Sequence, residues 1–298
     1  MVTNLKPRVQ MLGATPSKHH GWSNRGRQIT GETVRAWLDQ SEQAQDQRML
    51  FTILSRLRFV TSPQIGEHLR NAHHRAVART TPPRTRENKV EKRRDLLVTY
   101  LDGPGKSGST YARAYAKENG LLMESVIEPG RVQRRLSNDS DLPNAIVVVD
   151  DLAGTGRSAA EAMAPLMTEL GPLMTNKNIP LIVILLYATE EATLRVETAL
   201  RAIPGLRAQV HVSHILTEED RAFPSEGIGF WADEQTRDRA KALCVRLGTG
   251  FYKEALGFGS QSLLIAFPDT CPNNNLPVIF ASRSGASSWN ALLPRPAS

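Results

Sequence analysis

The chain has 298 residues, 40% of them hydrophobic, and a formal net charge of +7. That is enough apolar material for a full core in one large domain or two modest ones. No run of 18 apolar residues occurs, the opening MVTNLKPRVQ has no apolar signal region, and two cysteines, Cys244 and Cys271, are too few for a disulfide framework or a zinc site. A membrane span, export and a disulfide scaffold are therefore not expected, and a cytoplasmic location is.

Charge divides the chain. Residues 1–94 hold 18 Lys and Arg against 7 Asp and Glu, a balance of +11, whereas the remainder holds 19 against 23. A basic front and a mildly acidic body suggest different tasks. Residues 1–30 mix Pro, Gly, Ser, His and Arg without periodicity and read as a mobile basic arm. Residues 31–94 read as a helical, basic partner-binding module and linker. Met49, Leu50, Ile53, Leu54 and Leu57 share one helical face. Ser62 and Pro63 then open a second helix as N-cap and first helical residue. The run ARTTPPRTRENKVEKRR, 78–94, is a charged, proline-containing linker.

From residue 95 the pattern becomes strand and helix in alternation. LLVTYL (96–101) is a strand, GPGKSGS a loop, and TYARAYAKENG a helix. LLMESVI (121–127) is a second strand and IVVVDD (146–151) the third. PLIVILLYA (180–188) and AQVHVSHIL (208–216) are the fourth and fifth, with a helical EEATLRVETALRA between them. A helix around 233–247 precedes a sixth candidate strand, QSLLIAF (261–267). Such alternation predicts an α/β fold: a doubly wound, mostly parallel sheet, here of order 2-1-3-4-5, with an N-terminal helical module. Residues 95–298 form its main domain. The seven histidines show no metal-ligand clustering, and His19-His20 and His73-His74 read as exposed polar positions.

The stretch IVVVDDLAGTGRS, Ile146 to Ser158, concentrates the chemistry. Its four β-branched residues do not alternate with polar ones, as in a strand buried on both faces. Gly154 and Gly156 permit positive φ and close backbone approach. Amides there, backed by a helix N-terminus, suit an anion. Asp150 and Asp151 cannot bind that anion but suit sugar hydroxyls, or a cation bridging phosphates. Together they point to a ligand with both a phosphate and a diol. An ordinary strand-to-helix connection with Asp151 as a cap is the plainer alternative. In a sheet of the expected order, GPGKSGS after the first strand lies beside this loop at the switch point. Gly105-Lys106-Ser107 also ends like a phosphate-binding loop of nucleoside triphosphatases, but the glycine needed five residues earlier is Tyr100.

The thirteen residues resemble the ribose-phosphate loop of type I phosphoribosyltransferases. Asp150 and Asp151 match its acidic pair, and Ala153, Gly154, Thr155, Gly156, Arg157 and Ser158 match its 5′-phosphate loop. Gly154 replaces the usual hydroxyl residue, which removes one hydrogen bond. The resemblance implies that Gly105, Lys106, Ser107 and Gly108 hold pyrophosphate, with Lys106 steadying it as it leaves. It implies a ligand of the phosphoribosyl pyrophosphate or nucleotide type, carrying Mg2+ on its own oxygens. The catalytic residues would be Asp150, Asp151 and Lys106; Arg157 reads equally as a solvated loop arginine. The segment GFGSQSLLIAFPDTCPNNNLPVIF, 257–280, resembles the tail of a divergent branch found in bacterial conflict and antiphage gene clusters, some beside retron reverse transcriptases. A toxic effector acting on a nucleotide pool is one function this implies. A non-catalytic ligand sensor or nucleic-acid-binding regulator on the same fold is the other. In either case the basic front suggests nucleic acid or a ribonucleoprotein as partner, through a winged-helix-like TSPQIGEHL segment. Helices that only pack on the core are the alternative. The Pro-Asn-Asn run reads either as a turn or as part of a hood over the base. Nothing in the sequence points to a membrane, and an oligomer is compatible with it.

Overall fold

The computed structural model describes residues 22–77, 94–101, 107–250, 252–283 and 288–295. The chain divides into two compact units, one of residues 1–62 with 217–298 and one of residues 63–216.

The first unit begins with a hairpin, β1 (Ser23–Asn24) and β2 (Arg27–Gln28). Helices α1 (Gly31–Leu38) and α2 (Ala44–Arg56) follow, then β3 (Arg58–Phe59). Thr30 caps α1, its hydroxyl accepting the Thr33 amide at 3.2 Å. Met49, Leu50, Ile53, Leu54 and Leu57 are buried together, as their spacing predicts. The unit resumes after residue 216 with α8 (Glu234–Gly248), β8 (Ile265–Ala266) and α9 (Pro277–Phe280). Strands β3 and β8 pair in parallel. Trp37 and Trp289 meet edge to face at 5.8 Å, and both indoles donate to the Val278 carbonyl. Arg246 pairs with the buried Asp46 at 2.7 Å.

The second unit runs α3 (Ser62–Ala72), β4 (Leu96–Thr99), α4 (Ser107–Glu118), α5 (Pro129–Leu136), β5 (Ala145–Ala153), α6 (Arg157–Asn176), β6 (Leu181–Thr189), α7 (Glu190–Arg201) and β7 (Ala208–Leu216). The four strands form one parallel sheet in the order β4-β5-β6-β7. Both β5 and β6 are continuous apolar runs because helices cover both faces of the sheet. On one face, Val132 and Leu136 of α5, Met163, Met167 and Leu170 of α6, and Val196 and Leu200 of α7 join Val148, Val183 and Leu185. The opposite face is covered by α4, with Tyr111, Ala112, Tyr115 and Ala116 buried, and by α3, tied to α4 through the Arg70–Glu118 ion pair. No helix among the described residues is long and apolar enough to cross a membrane.

Three expectations are corrected. The second strand is not formed. Leu122 to Val126 make i→i+3 bonds instead, Ser125 N to Leu122 O at 3.1 Å and Val126 N to Met123 O at 3.0 Å. Those amides are unavailable to a ladder, and the segment keeps the isolated Val98–Val126 bridge to β4. The sheet therefore has four strands, in the order β4-β5-β6-β7, rather than the expected five. The sixth strand shrinks to Ile265–Ala266 and leaves the main sheet. Ser260 and Ser262 have φ of +52° and +44°, which extended backbone cannot accommodate. The asparagines of the PNNN run are internal: Asn275 accepts the Ile265 amide at 2.8 Å and donates to Pro272 O, while Asn274 donates to Gln261 at 2.8 Å. They fix turns, which is the first of the two readings given above.

The third correction concerns domain organisation. Residues 31–94 are not a unit of their own, nor are residues 95–298. Helices α1 and α2 share a core with residues 217–295, and α3 packs in the sheet unit, because their apolar faces complete those two cores. The expected linker, 78–94, lies outside the described residues except for Arg94, and so does the expected arm, 1–30, up to residue 21; the rest of that arm forms the β1–β2 hairpin and the Thr30 cap. A chain beginning at Asp95 should therefore show no cooperative thermal transition by circular dichroism. A sharp transition with intact near-ultraviolet signal would show that the helices are dispensable. Leu54→Ala, at a fully buried position, should cost about 2–5 kcal/mol in denaturant unfolding.

Candidate functional site

β4 stops at Thr99, opposite Val148, while β5 continues for five residues beside β6. The overhang carries the acidic pair. Asp150 accepts the Asp151 amide at 2.9 Å, and Asp151 accepts the Leu152 amide at 3.0 Å. The carboxylates thus satisfy backbone donors where the ladder thins out. Asp150 is half-buried and Asp151 buried. Ser107, the first residue of α4, lies with its hydroxyl 3.3 Å from Asp151 Oδ1. This bond joins the first residue of α4 to the last part of β5. Gly108 is buried behind Ser107 in the same first turn. Gly105 and Lys106 lie outside the described residues.

The connection from β5 to α6 is only Gly154, Thr155 and Gly156. Gly156 has φ +67°, and a Cβ there would lie 2.7 Å from Ala192 Cα and 2.8 Å from its carbonyl oxygen. Both features require glycine. The loop is held from α7: Thr189 donates to Gly154 O at 2.6 Å while accepting the Ala192 amide at 3.1 Å. Arg195 donates to Thr155 O at 2.7 Å. The Thr155 hydroxyl accepts the Arg157 amide at 3.3 Å. Helix α6 is 20 residues long, and its N-cap, Gly156, has no side chain to take the amides beyond Arg157. The amides of Ser158 and Ala159 stand at its second and third positions, where the dipole favours an anion. Arg157 and Ser158 are exposed there, while Ala153, Gly154, Thr155 and Gly156 are buried.

Sequence reasoning missed the clamp. Thr189 is legible as an N-cap before Glu190-Glu191, but its second bond, to a loop 35 residues away, is not. It also missed two Tyr–His pairs on the α3–α4 face. His68 Nε2 lies 3.0 Å from the Tyr187 hydroxyl, and His73 Nδ1 lies 2.7 Å from that of Tyr115. Tyr187 is in register with Leu152, next to Asp151, and its ring lies 5.3 Å from that of His214. His73 is thus half-buried and bonded rather than exposed, a correction to the sequence reading; His74 is exposed. Residues 73–77 form a π-helical turn, a departure from the helix frequent at functional sites. Five-residue spacing does not place His68 and His73 on one face of a regular helix, which hid the pairing. Burial, and then the neighbouring Arg75, push the His211 imidazole below its ordinary value. Among the described residues no group of three or more His, Cys, Asp or Glu could hold a metal ion.

A parallel sheet with helices on both faces, an acidic strand end and an adjoining glycine-containing loop fit a phosphoribosyltransferase-like protein. The family model PRTase-CE matches residues 34–295, and the chain belongs to that family. The match includes the N-terminal helices, which agrees with their place in the two cores. No curated protein matches the chain. Among solved structures, an orotate phosphoribosyltransferase from Aeropyrum pernix is similar at 16% identity, covering 52% of this chain and 72% of that one, with a TM-score of 0.28. The fold assignment rests on the sheet and its crossovers.

Two predictions follow from the clamp and its surroundings. Thr189→Val should cost about 1–2 kcal/mol through the lost cap, and Thr189→Ser should restore most of it; equal unfolding midpoints for wild type and Val would contradict the clamp. Because the His211 value is lowered on folding, its contribution to stability is full above pH 6.5 and is lost as pH falls through the lower folded value. His211→Gln should flatten the acid limb of a plot of Tm against pH, and an unaltered limb would show that another group sets it.

Proposed function

We propose that the protein binds phosphoribosyl pyrophosphate, or a nucleotide-type ligand, at the carboxyl edge of the sheet and acts at C1 of the ribose. The observation that supports this most is the Ser107–Asp151 contact at 3.3 Å. It brings Ser107, which the resemblance assigns to the pyrophosphate side, to Asp151 of the acidic pair, and the Ser158 and Ala159 amides at the start of α6 suit a 5′-phosphate. One ligand could reach all three.

In such a reaction the C1–O bond to pyrophosphate breaks, and pyrophosphate leaves with the bonding pair. A nitrogen lone pair forms the new C1–N bond, and the nucleophile gives up its proton. The ribose carries positive charge as this happens, so alignment and electrostatic stabilisation matter more than a protein nucleophile. Asp150 and Asp151 would hold the ribose hydroxyls and favour that charge. Amides at the start of α6, with Ser158 and Thr155, would hold the 5′-phosphate. Lys106, by its place in the sequence, would bind pyrophosphate. Mg2+ would offset charge on the pyrophosphate. Two carboxylates fit an ion that keeps ligand oxygens and waters in its other positions.

The resemblance of residues 257–280 supports a role as a toxic effector in bacterial antiphage systems of the retron type, drawing on the nucleotide pool. The basic N-terminal region supports contact with nucleic acid or a ribonucleoprotein.

Calorimetric titration with phosphoribosyl pyrophosphate and Mg2+ tests the central reading. Asp150→Asn with Asp151→Asn should abolish binding and leave Tm nearly unchanged; unaltered affinity in the double variant contradicts it. Lys106→Ala should weaken phosphoribosyl pyrophosphate by about 1.5–3 kcal/mol and ribose 5-phosphate far less. Equal losses for both ligands would remove Lys106 from the pyrophosphate side.

A further inference from the structure

The hairpin at the start of the described chain breaks a rule of turn chemistry. Ser23 pairs with Gln28 and Asn24 with Arg27, which leaves Arg25 and Gly26 as the turn. Their φ values are +53° and +78°. Turns of this kind strongly prefer Asn, Asp or Gly at the first position. Arginine there is unfavourable, and no ion pair among the described residues offsets it. The tip is open, since a Cβ on Gly26 would meet nothing within 4 Å. Arg25, Arg27 and Gln28 are all exposed.

The backbone of the hairpin is nonetheless fixed at both ends: in the turn Arg25 N donates to Pro268 O at 2.6 Å, and at the base Ile29 N donates to Trp22 O at 2.8 Å. Ile29 is buried, and Trp22 stacks on Phe59 with centroids 5.4 Å apart. Asn24, beside the turn, is buried with neither carboxamide atom bonded among the described residues. A stiff, wholly polar ribbon therefore holds two guanidinium groups out at its tip, with a buried polar side chain left unsatisfied beneath them. Strain and unmet polar groups of this kind are retained where another function requires them.

We propose that this hairpin is a contact for duplex DNA, with Arg25 and Arg27 on backbone phosphates. The guanidinium fork matches phosphate oxygens. A two-stranded ribbon fits the major groove of B-form DNA, about 12 Å wide, whereas the corresponding groove of duplex RNA is too narrow for side chains to read. The proposal rests on the reading of the basic N-terminal region as a nucleic-acid contact and narrows it to two named side chains. It is independent of the ribosyl ligand.

Fluorescence anisotropy of the full chain with a short labelled DNA duplex, across a salt series, tests it. Each phosphate neutralised contributes about 0.9 to the slope of log affinity against log salt. Arg25→Ala with Arg27→Ala should therefore flatten the slope by about 2, and Arg25→Lys with Arg27→Lys should retain it. Arg25→Gly suits the positive φ, so Tm should hold or rise while the slope falls by about 1; this separates lost contact from lost folding. Salt-dependent binding with an unchanged slope in the double Ala variant would overturn the hairpin assignment and leave the nucleic-acid reading standing. No salt-dependent binding by the wild-type chain would overturn both. Equal affinity for duplex RNA or for an acidic peptide would overturn the choice of DNA.

Discussion

The site depends on one close approach. Gly156 passes so near Ala192 that a single methyl group would lie 2.7 Å from a backbone carbon. A real Cβ essentially never comes that close to a backbone atom, so either the residue stays glycine or the loop moves. The approach in turn permits a three-residue connection between β5 and α6, and so brings the helix start up to the acidic strand end. Thr189 and Arg195 hold the loop carbonyls in place. The loop's acceptors are thereby engaged and its geometry set before any ligand arrives. Preorganised donors need no rearrangement when charge develops.

The acidic pair fits the same logic. A strand that outruns its neighbour exposes backbone donors, and aspartate is the shortest carboxylate able to take the next amide. Asp150 and Asp151 therefore have a local structural role beside the ligand-facing one proposed for them. The two roles are compatible because each carboxylate has a second oxygen and further lone pairs. Asp151, buried and in reach of Ser107, is the more constrained of the two.

Much of this was legible in the sequence. Buried parallel strands announce themselves as unbroken runs of Ile, Val and Leu, and the ends of β5 and β6 lie within two residues of where those runs put them. Gly-Thr-Gly after an acidic pair marked the loop. Legibility failed where long-range contacts overruled local pattern. The LLMESVI run lost its strand to i→i+3 bonds. QSLLIAF lost most of its strand to the serines at positive φ. The basic front read as a separate module because charge is visible in a sequence and shared burial is not: Leu50, Ile53 and Leu54 gave no sign that their partners lie some two hundred residues further on. Thr189 and the Tyr–His pairs were missed for the same reason, since each joins residues distant in the chain.

The most direct measurement is a crystal structure of the protein with phosphoribosyl pyrophosphate and Mg2+. The account predicts the 5′-phosphate at the start of α6, within hydrogen-bonding distance of the Ser158 and Ala159 amides, and the ribose diol on Asp150 and Asp151. A ligand bound elsewhere, with that helix start and both carboxylates untouched at saturating concentration, would contradict it.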